Sequence, residues 1–111
     1  MVEEYLVIWT ESAVSDLESI IEYIAENNPL AAKTLLARIQ KQVDTLSYLP
    51  QRGRHIPELR EQGILLYREL IISPWRIMYR IQGKTVYVMA IIDSRRNVED
   101  ILLEKLIKVR K

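Results

Sequence analysis

The chain has no cysteine, no phenylalanine, a single histidine and only 3 glycines among its 111 residues. Without thiols, disulfides and thiolate metal ligands are excluded, and one histidine does not make a zinc centre, so neither a metal site nor a cofactor is expected. A Gly-rich phosphate loop and a nucleophilic triad are both missing, which argues against familiar small-molecule enzyme chemistry. Long hydrophobic runs are missing too: no segment approaches the roughly 20 apolar residues of a membrane span. The opening "MVEEYLVIW" is acidic where a secretory signal is basic, so the expectation is a soluble cytoplasmic protein with no membrane partner.

What is present is 49% hydrophobic residues, enough for one compact domain spanning residues 1–111 with a single modest core. The net charge of +1 hides an asymmetry, since residues 1–51 carry 3 Lys/Arg against 8 Asp/Glu and residues 52–111 carry 13 against 7. An acidic partner would meet the second half. The overall balance is nonetheless mild for a domain that holds RNA or DNA by its phosphates.

Apolar periodicity sets the expected elements. "YLVIW" at 5–9 is a nearly continuous apolar run, read as a strand covered on both faces, central or nearly so and paired beside the later strands. Thr10 or Ser12 caps a first helix with Ala13, Leu17, Ile20, Ile21 and Ile24 on one side and Glu18, Glu22 and Glu26 on the other. Asn28 and Pro29 start a second helix, striped by Ala32, Leu35, Leu36, Ile39, Val43 and Leu46. Residues 50–66 lack any period and are longer than an ordinary connection, which marks a functional loop. Strand signals follow at 67–72, 75–81 and 85–92, then a helix from Asn97 with Val98, Ile101, Leu102, Leu106 and Val109 on one face. Leu103 and Ile107 widen that face beyond what docking on one side requires. The fold class is α+β: an N-terminal strand, an antiparallel helical hairpin packed on a mainly antiparallel four-stranded sheet, and a C-terminal helix.

The two-residue period of "WRIMYRI" places Trp75, Ile77, Tyr79 and Ile81 on one face and Arg76, Met78 and Arg80 on the other. Two readings stand for the arginine face. It is a solvated surface with ion pairs to Glu69, or an anion-binding surface in which forked guanidinium donors match phosphate or carboxylate, with Arg68 alongside if the register allows. Arg95 and Arg96 of "DSRRN" sit at the end of the last strand, as a solvated turn or as an extension of the same basic cluster. His55 is a general base in principle and an exposed loop histidine otherwise. Glu58, near Arg54 and Arg60, reads as a loop ion pair or as a base.

The combination "LPQRGRHIPEL", "YRELIISPWRIMYRI" and "VYVMAIIDSRRN" before a short helix resembles the RelE/ParE superfamily of bacterial type II toxin–antitoxin toxins, with "VIWTESAVSDLESIIEYIAENNPLAA" similar to its first strand and helical hairpin. The resemblance implies one of two activities. RelE-like members cut mRNA on the ribosome through the RNA's own 2′-hydroxyl. In that case Arg76 matches the transition-state arginine, Glu58 the acidic base of some members, and the acid position falls on Arg95 and Arg96, which do not readily give up a proton. ParE-like members stabilise the cleaved-DNA complex of DNA gyrase, and the "NNP" hairpin, the "SRR" turn and the missing acid resemble that branch more. The resemblance also admits an inactive member that only binds antitoxin. For partners it implies a cognate acidic antitoxin, contacting Leu102, Leu103, Leu106 and Ile107 among others, and either a homodimer or a toxin–antitoxin hetero-oligomer. The target-binding or anion-binding set is then Arg68, Arg76, Arg80, Arg95 and Arg96.

Overall fold

The computed structural model describes residues 4–107, with the side chains of residues 106 and 107 outside the description. Strand β1 (Leu6–Trp9) leads into helices α1 (Glu11–Ala25) and α2 (Pro29–Asp44). A two-residue strand β2 (Arg54–His55) and a single helical turn α3 (Pro57–Arg60) follow. The meander β3 (Tyr67–Ile72), β4 (Trp75–Gln82) and β5 (Thr85–Asp93) comes next, then α4 (Val98–Leu102), which continues as a π-type turn over Leu103–Ile107.

The local chemistry explains these boundaries. The Thr10 side chain accepts from Ala13 N–H and opens α1, worth about 1 kcal/mol for such a cap. Asn28 does the same for Ala31 N–H, with Pro29 at the first helical position, where its missing N–H costs nothing. Between β4 and β5, Gly83 takes φ +60°, the left-handed conformation that a two-residue hairpin needs at its first position.

The sheet order is β1-β5-β4-β3-β2, antiparallel throughout except that β1 runs parallel to β5. The sheet therefore has five strands, not the four expected, because Arg54 and His55 pair with Glu69 and Arg68 and add a short edge. Two residues carry no period, so this strand left no pattern to read. A second correction concerns β1. It is an edge strand, and its continuous apolar run is split by the pleat: Val7 and Trp9 pack toward the helices while Leu6 and Ile8 are exposed.

The α1–α2 hairpin covers one face of the sheet. Ala13 of α1, Ile39 and Val43 of α2, and Leu46 after it meet Leu70, Ile72, Ile77, Tyr79, Val86, Val88 and Ile91 in the main core. The second face carries its own smaller core, in which Ile56, Leu59, Val98 and Leu102 close over Tyr67, Met78, Ala90 and Ile92. The expected single core is thus two, one on each side of the sheet. A bulge makes the change of side possible: Met78 pairs with Ala90 and Tyr79 with Val88, leaving Met89 unpaired. Val86 and Val88 face the helices, and beyond the bulge Ala90 and Ile92 face the other way. The expected continuous helix over 98–109 is instead one α-helical turn and a π-type turn within the described residues, and Val109 lies outside them.

Candidate functional site

Arg76 sits in the second face, on the strand between the two cores. Its residue is 6% exposed, and three of its nitrogens are held by carboxylates. Nε donates to Glu69 Oε1 at 2.8 Å and Nη2 to Glu69 Oε2 at 3.0 Å, while Nη1 and Nη2 reach Glu58 Oε2 at 2.9 Å and Oε1 at 2.7 Å. Both contacts are two-pronged, the geometry that a guanidinium and a carboxylate make best. Arg54, directly opposite Glu69 in the β2–β3 ladder, adds a third donor to that carboxylate at 2.8 Å. The order is therefore Arg54, Glu69, Arg76, Glu58, a chain of alternating charge running from the sheet edge to the α3 turn.

Each member is placed by its element. Glu69 lies diagonally across from Arg76, since Met78 is its direct partner and Ile71 is that of Arg76, so the two project from the same face. Glu58 is brought in by the turn that Pro57 starts, and Leu59 anchors that turn in the second core. The Glu58 carboxyl is held below its usual range by its hydrogen bonds from Arg76, with burial opposing. The Arg76 guanidinium is pushed further above its ordinary value by Glu58, with Glu69 adding to the effect.

A glycine underlies this arrangement. A Cβ on Gly53 would stand 2.6 Å from both the Glu69 carbonyl oxygen and the Tyr79 hydroxyl, so only glycine fits. The Tyr79 hydroxyl accepts from Gly53 N–H at 3.0 Å and donates to the Pro50 carbonyl at 2.8 Å, closing the "PQRG" segment against β4. Arg68 closes it from the neighbouring strand, donating to the carbonyls of Gly53 at 2.7 Å and Gln51 at 3.2 Å.

The arginines singled out from sequence do not converge. Arg68 pairs with Tyr79 and so belongs to the opposite face from Arg76. Arg80 shares the face of Arg76 but leans over the Tyr87 ring, with its guanidinium 6.0 Å from the ring centre, and bonds to Gln82. Arg95 is tied to Asp93 at 2.6 Å and 2.9 Å, and Asp93 is drawn down to about 2 chiefly by that hydrogen bond. Arg96 is exposed and stands at the mouth of a different cleft, between α1 and the C-terminal segment. His55 pairs with Arg68, on the far side of the sheet from Glu58, and its Nδ1 is buried without a hydrogen-bond partner.

The apolar residues assigned to antitoxin contact divide as well. Leu102 is buried in the second core, while Leu103 is 54% exposed. Leu103 lines a groove between α3 and α4 together with Leu59 and Ile64, and Glu58, Glu99 and Asp100 stand around it. The side chains of Leu106 and Ile107 lie outside the described residues. Sequence reading placed Tyr79 on the core face but not its hydroxyl's contacts, and gave Gly53 no role of its own although a glycine followed by arginine after a proline was visible. It also passed over Asp16, which accepts from Ile91 N–H at 3.0 Å and from Lys105 at 2.7 Å. No group of three or more histidines and acids suited to a metal ion occurs among the described residues. No described helix is long and apolar enough to cross a membrane.

With fold and site defined, comparison with known proteins places the chain in a class. Residues 7–98 match the model of the ParE toxin of the type II toxin–antitoxin system parDE. Toxin ParE3 of Caulobacter vibrioides is 33% identical over 93 residues, covering 83% of this chain and 89% of that one. Toxin RelE2 of the same organism is 32% identical over 91 residues, covering 81% and 96%. Among solved structures, a chain of a chromosomal ParDE toxin–antitoxin system from P. aeruginosa superimposes with a TM-score of 0.67 at 22% identity, covering 82% of this chain and 97% of that one. A chain of the RelBE2 toxin–antitoxin complex from Mycobacterium tuberculosis gives 0.56 at 22%, covering 81% and 91%. The protein belongs to the ParE toxin family of type II toxin–antitoxin systems, within the RelE/ParE superfamily.

Proposed function

We propose that this toxin arrests growth by inhibiting DNA gyrase rather than by cutting RNA, and that in the cytoplasm it is held inactive by a cognate acidic antitoxin. The observation that carries the first part is the double two-pronged pairing of Arg76. Cleavage through a 2′-hydroxyl needs a base, a cation for the charged transition state and an acid for the leaving oxygen. Here the base candidate, Glu58, is bonded to the cation candidate and is a weaker proton acceptor for it. Arg76 meanwhile spends its donors on two glutamates. At the acid position stand Arg95 and Arg96, neither of which readily gives up a proton at neutral pH.

An antitoxin partner is supported by the family and by the two solved relatives, each part of a toxin–antitoxin assembly. The acidic character of that partner is inferred from the basic second half of this chain.

The test runs two assays on one preparation. Purified protein is expected to accumulate cleaved-DNA complexes with gyrase while leaving mRNA on translating ribosomes intact. Positioned cuts in the ribosomal A site, lost in Arg76→Ala, would instead establish the nuclease reading.

A further inference from the structure

The groove between α3 and α4 is an acidic surface in the basic half of the chain. Its floor is apolar, from Leu59, Ile64, Leu102 and Leu103, and its rim carries Glu58, Gln62, Glu99 and Asp100, with no Lys or Arg among the described residues that line it. Its volume of about 510 Å³ falls within the range of ligand pockets, about 300–1,000 Å³, so it takes several side chains rather than one. The cations around it are already engaged. Arg76 pairs both oxygens of Glu58 and both of Glu69, so Glu58 shapes the wall without calling for a further charge. Lys105 bonds to Asp16. Arg96 stands beside both Asp100 and Glu104 in the adjoining cleft, and acts on Asp93 as well. Asp100 otherwise has only the Asn97 amide, and the Glu99 carboxylate has no hydrogen bond or ion pair among the described residues. Three exposed carboxylates, Glu99, Asp100 and Glu104, thus surround the exposed Leu103, with Arg96 as the one described cation beside them.

We propose that this groove docks a basic segment of a partner protein, in which an aliphatic side chain lies over Leu59, Ile64 and Leu103 and a flanking lysine or arginine meets Glu99 and Asp100. The charge balance selects this occupant. An acidic segment would be repelled by an excess of carboxylates, and a neutral apolar one would cover Glu99 and Asp100 without giving either a partner. A bare metal ion or amine would leave the apolar floor unfilled. Lysine and arginine satisfy both parts, because their aliphatic stems lie along apolar surface while their charged heads reach the rim. The inference stands apart from the antitoxin and gyrase readings, since it rests on a surface of the opposite charge to the one they use.

The experiment is a titration of the whole protein with the peptide acetyl-Arg-Leu-Lys-Arg-amide, following the methyl resonances of Ile64 and Leu103 by NMR. A saturable shift of both is expected, weakened about tenfold in Glu99→Lys. Leu103→Ser, which removes the apolar wall without changing charge, should weaken it as well. Both positions are exposed, so each variant's unbound spectrum serves as the check that it is folded. Equal affinity for a glutamate-substituted peptide, equal affinity when serine replaces the peptide's leucine, unchanged affinity in Glu99→Lys, or no saturation would each overturn the proposal.

Discussion

Glu58 and Arg76 face each other through two parallel hydrogen bonds of 2.7 Å and 2.9 Å, with Arg76 buried and Glu58 only partly so. Their pairing gives the α3 turn an electrostatic attachment to the sheet, in addition to the apolar anchor of Leu59.

Removing Arg76 should therefore show first in stability. Arg76→Ala takes two donors from the buried Glu69 and leaves it with Arg54 alone, a loss on the order of 3 kcal/mol for a broken buried pair. Glu58→Gln keeps the shape and one acceptor, so its loss is expected to be smaller. Urea unfolding of the two variants checks the order, and a larger loss in Glu58→Gln would reverse the assignment of the dominant contact.

Gly53→Ala is expected to be more disruptive than its single methyl suggests. The added carbon meets one backbone oxygen and the fixed Tyr79 hydroxyl, neither of which is the free end of a flexible chain. Tyr79→Phe separates the steric effect from the polar one. It leaves the Pro50 carbonyl and the Gly53 N–H without the hydroxyl that joins them, costing about 1–3 kcal/mol by denaturation.

The C-terminal segment is held to α1 through Asp16. Asp16→Ala removes the acceptor of Ile91 N–H as well as the partner of Lys105. Hydrogen exchange at Ile91 should then accelerate, whereas Lys105→Ala should leave that amide protected. Equal exchange in both variants would show that the ion pair, not the backbone contact, protects this strand end.

Asp93 supplies a pH test. Its folded pKa of about 2 lies below the ordinary 3.8, so its pairing with Arg95 stabilises the fold above roughly pH 4. That contribution falls away as pH drops toward 2, since protonation ends the pairing. In Arg95→Ala the Asp93 titration, followed by carboxyl NMR, should move up toward 3.8.

The helical hairpin was the most legible part of the chain, because a stripe from Ala13 to Leu46 repeats over two helices and Thr10 and Asn28 mark their starts. The meander was legible from alternation in 75–81, which correctly separated Ile77 and Tyr79 from Arg76 and Met78. What escaped reading were features one or two residues long. Strand β2, the α3 turn and the Met89 bulge are each fixed by contacts with distant residues and have no local period. For the arginines, sequence gave the face of Arg76 and Arg80 but not the register. Only the register decides that Glu69 lies beside Arg76 while Arg68 turns away. Strand β1 misled because a buried strand and an exposed edge strand can share one apolar run.

The unpaired Met89 divides β5 into two lengths with opposite loyalties. Deleting it would restore an unbroken ladder and keep both sets in place, since Val88 and Ala90, already paired with the adjacent Tyr79 and Met78, would become neighbours on opposite faces. With Met89 kept but the bulge ironed out, Val88 and Ala90 would instead share one side, and the protein would lose one of its two interiors. The single supernumerary residue thus sets a reading frame for burial, and deletion of Met89 itself should be better tolerated than deletion of any other single residue between Thr85 and Asp93.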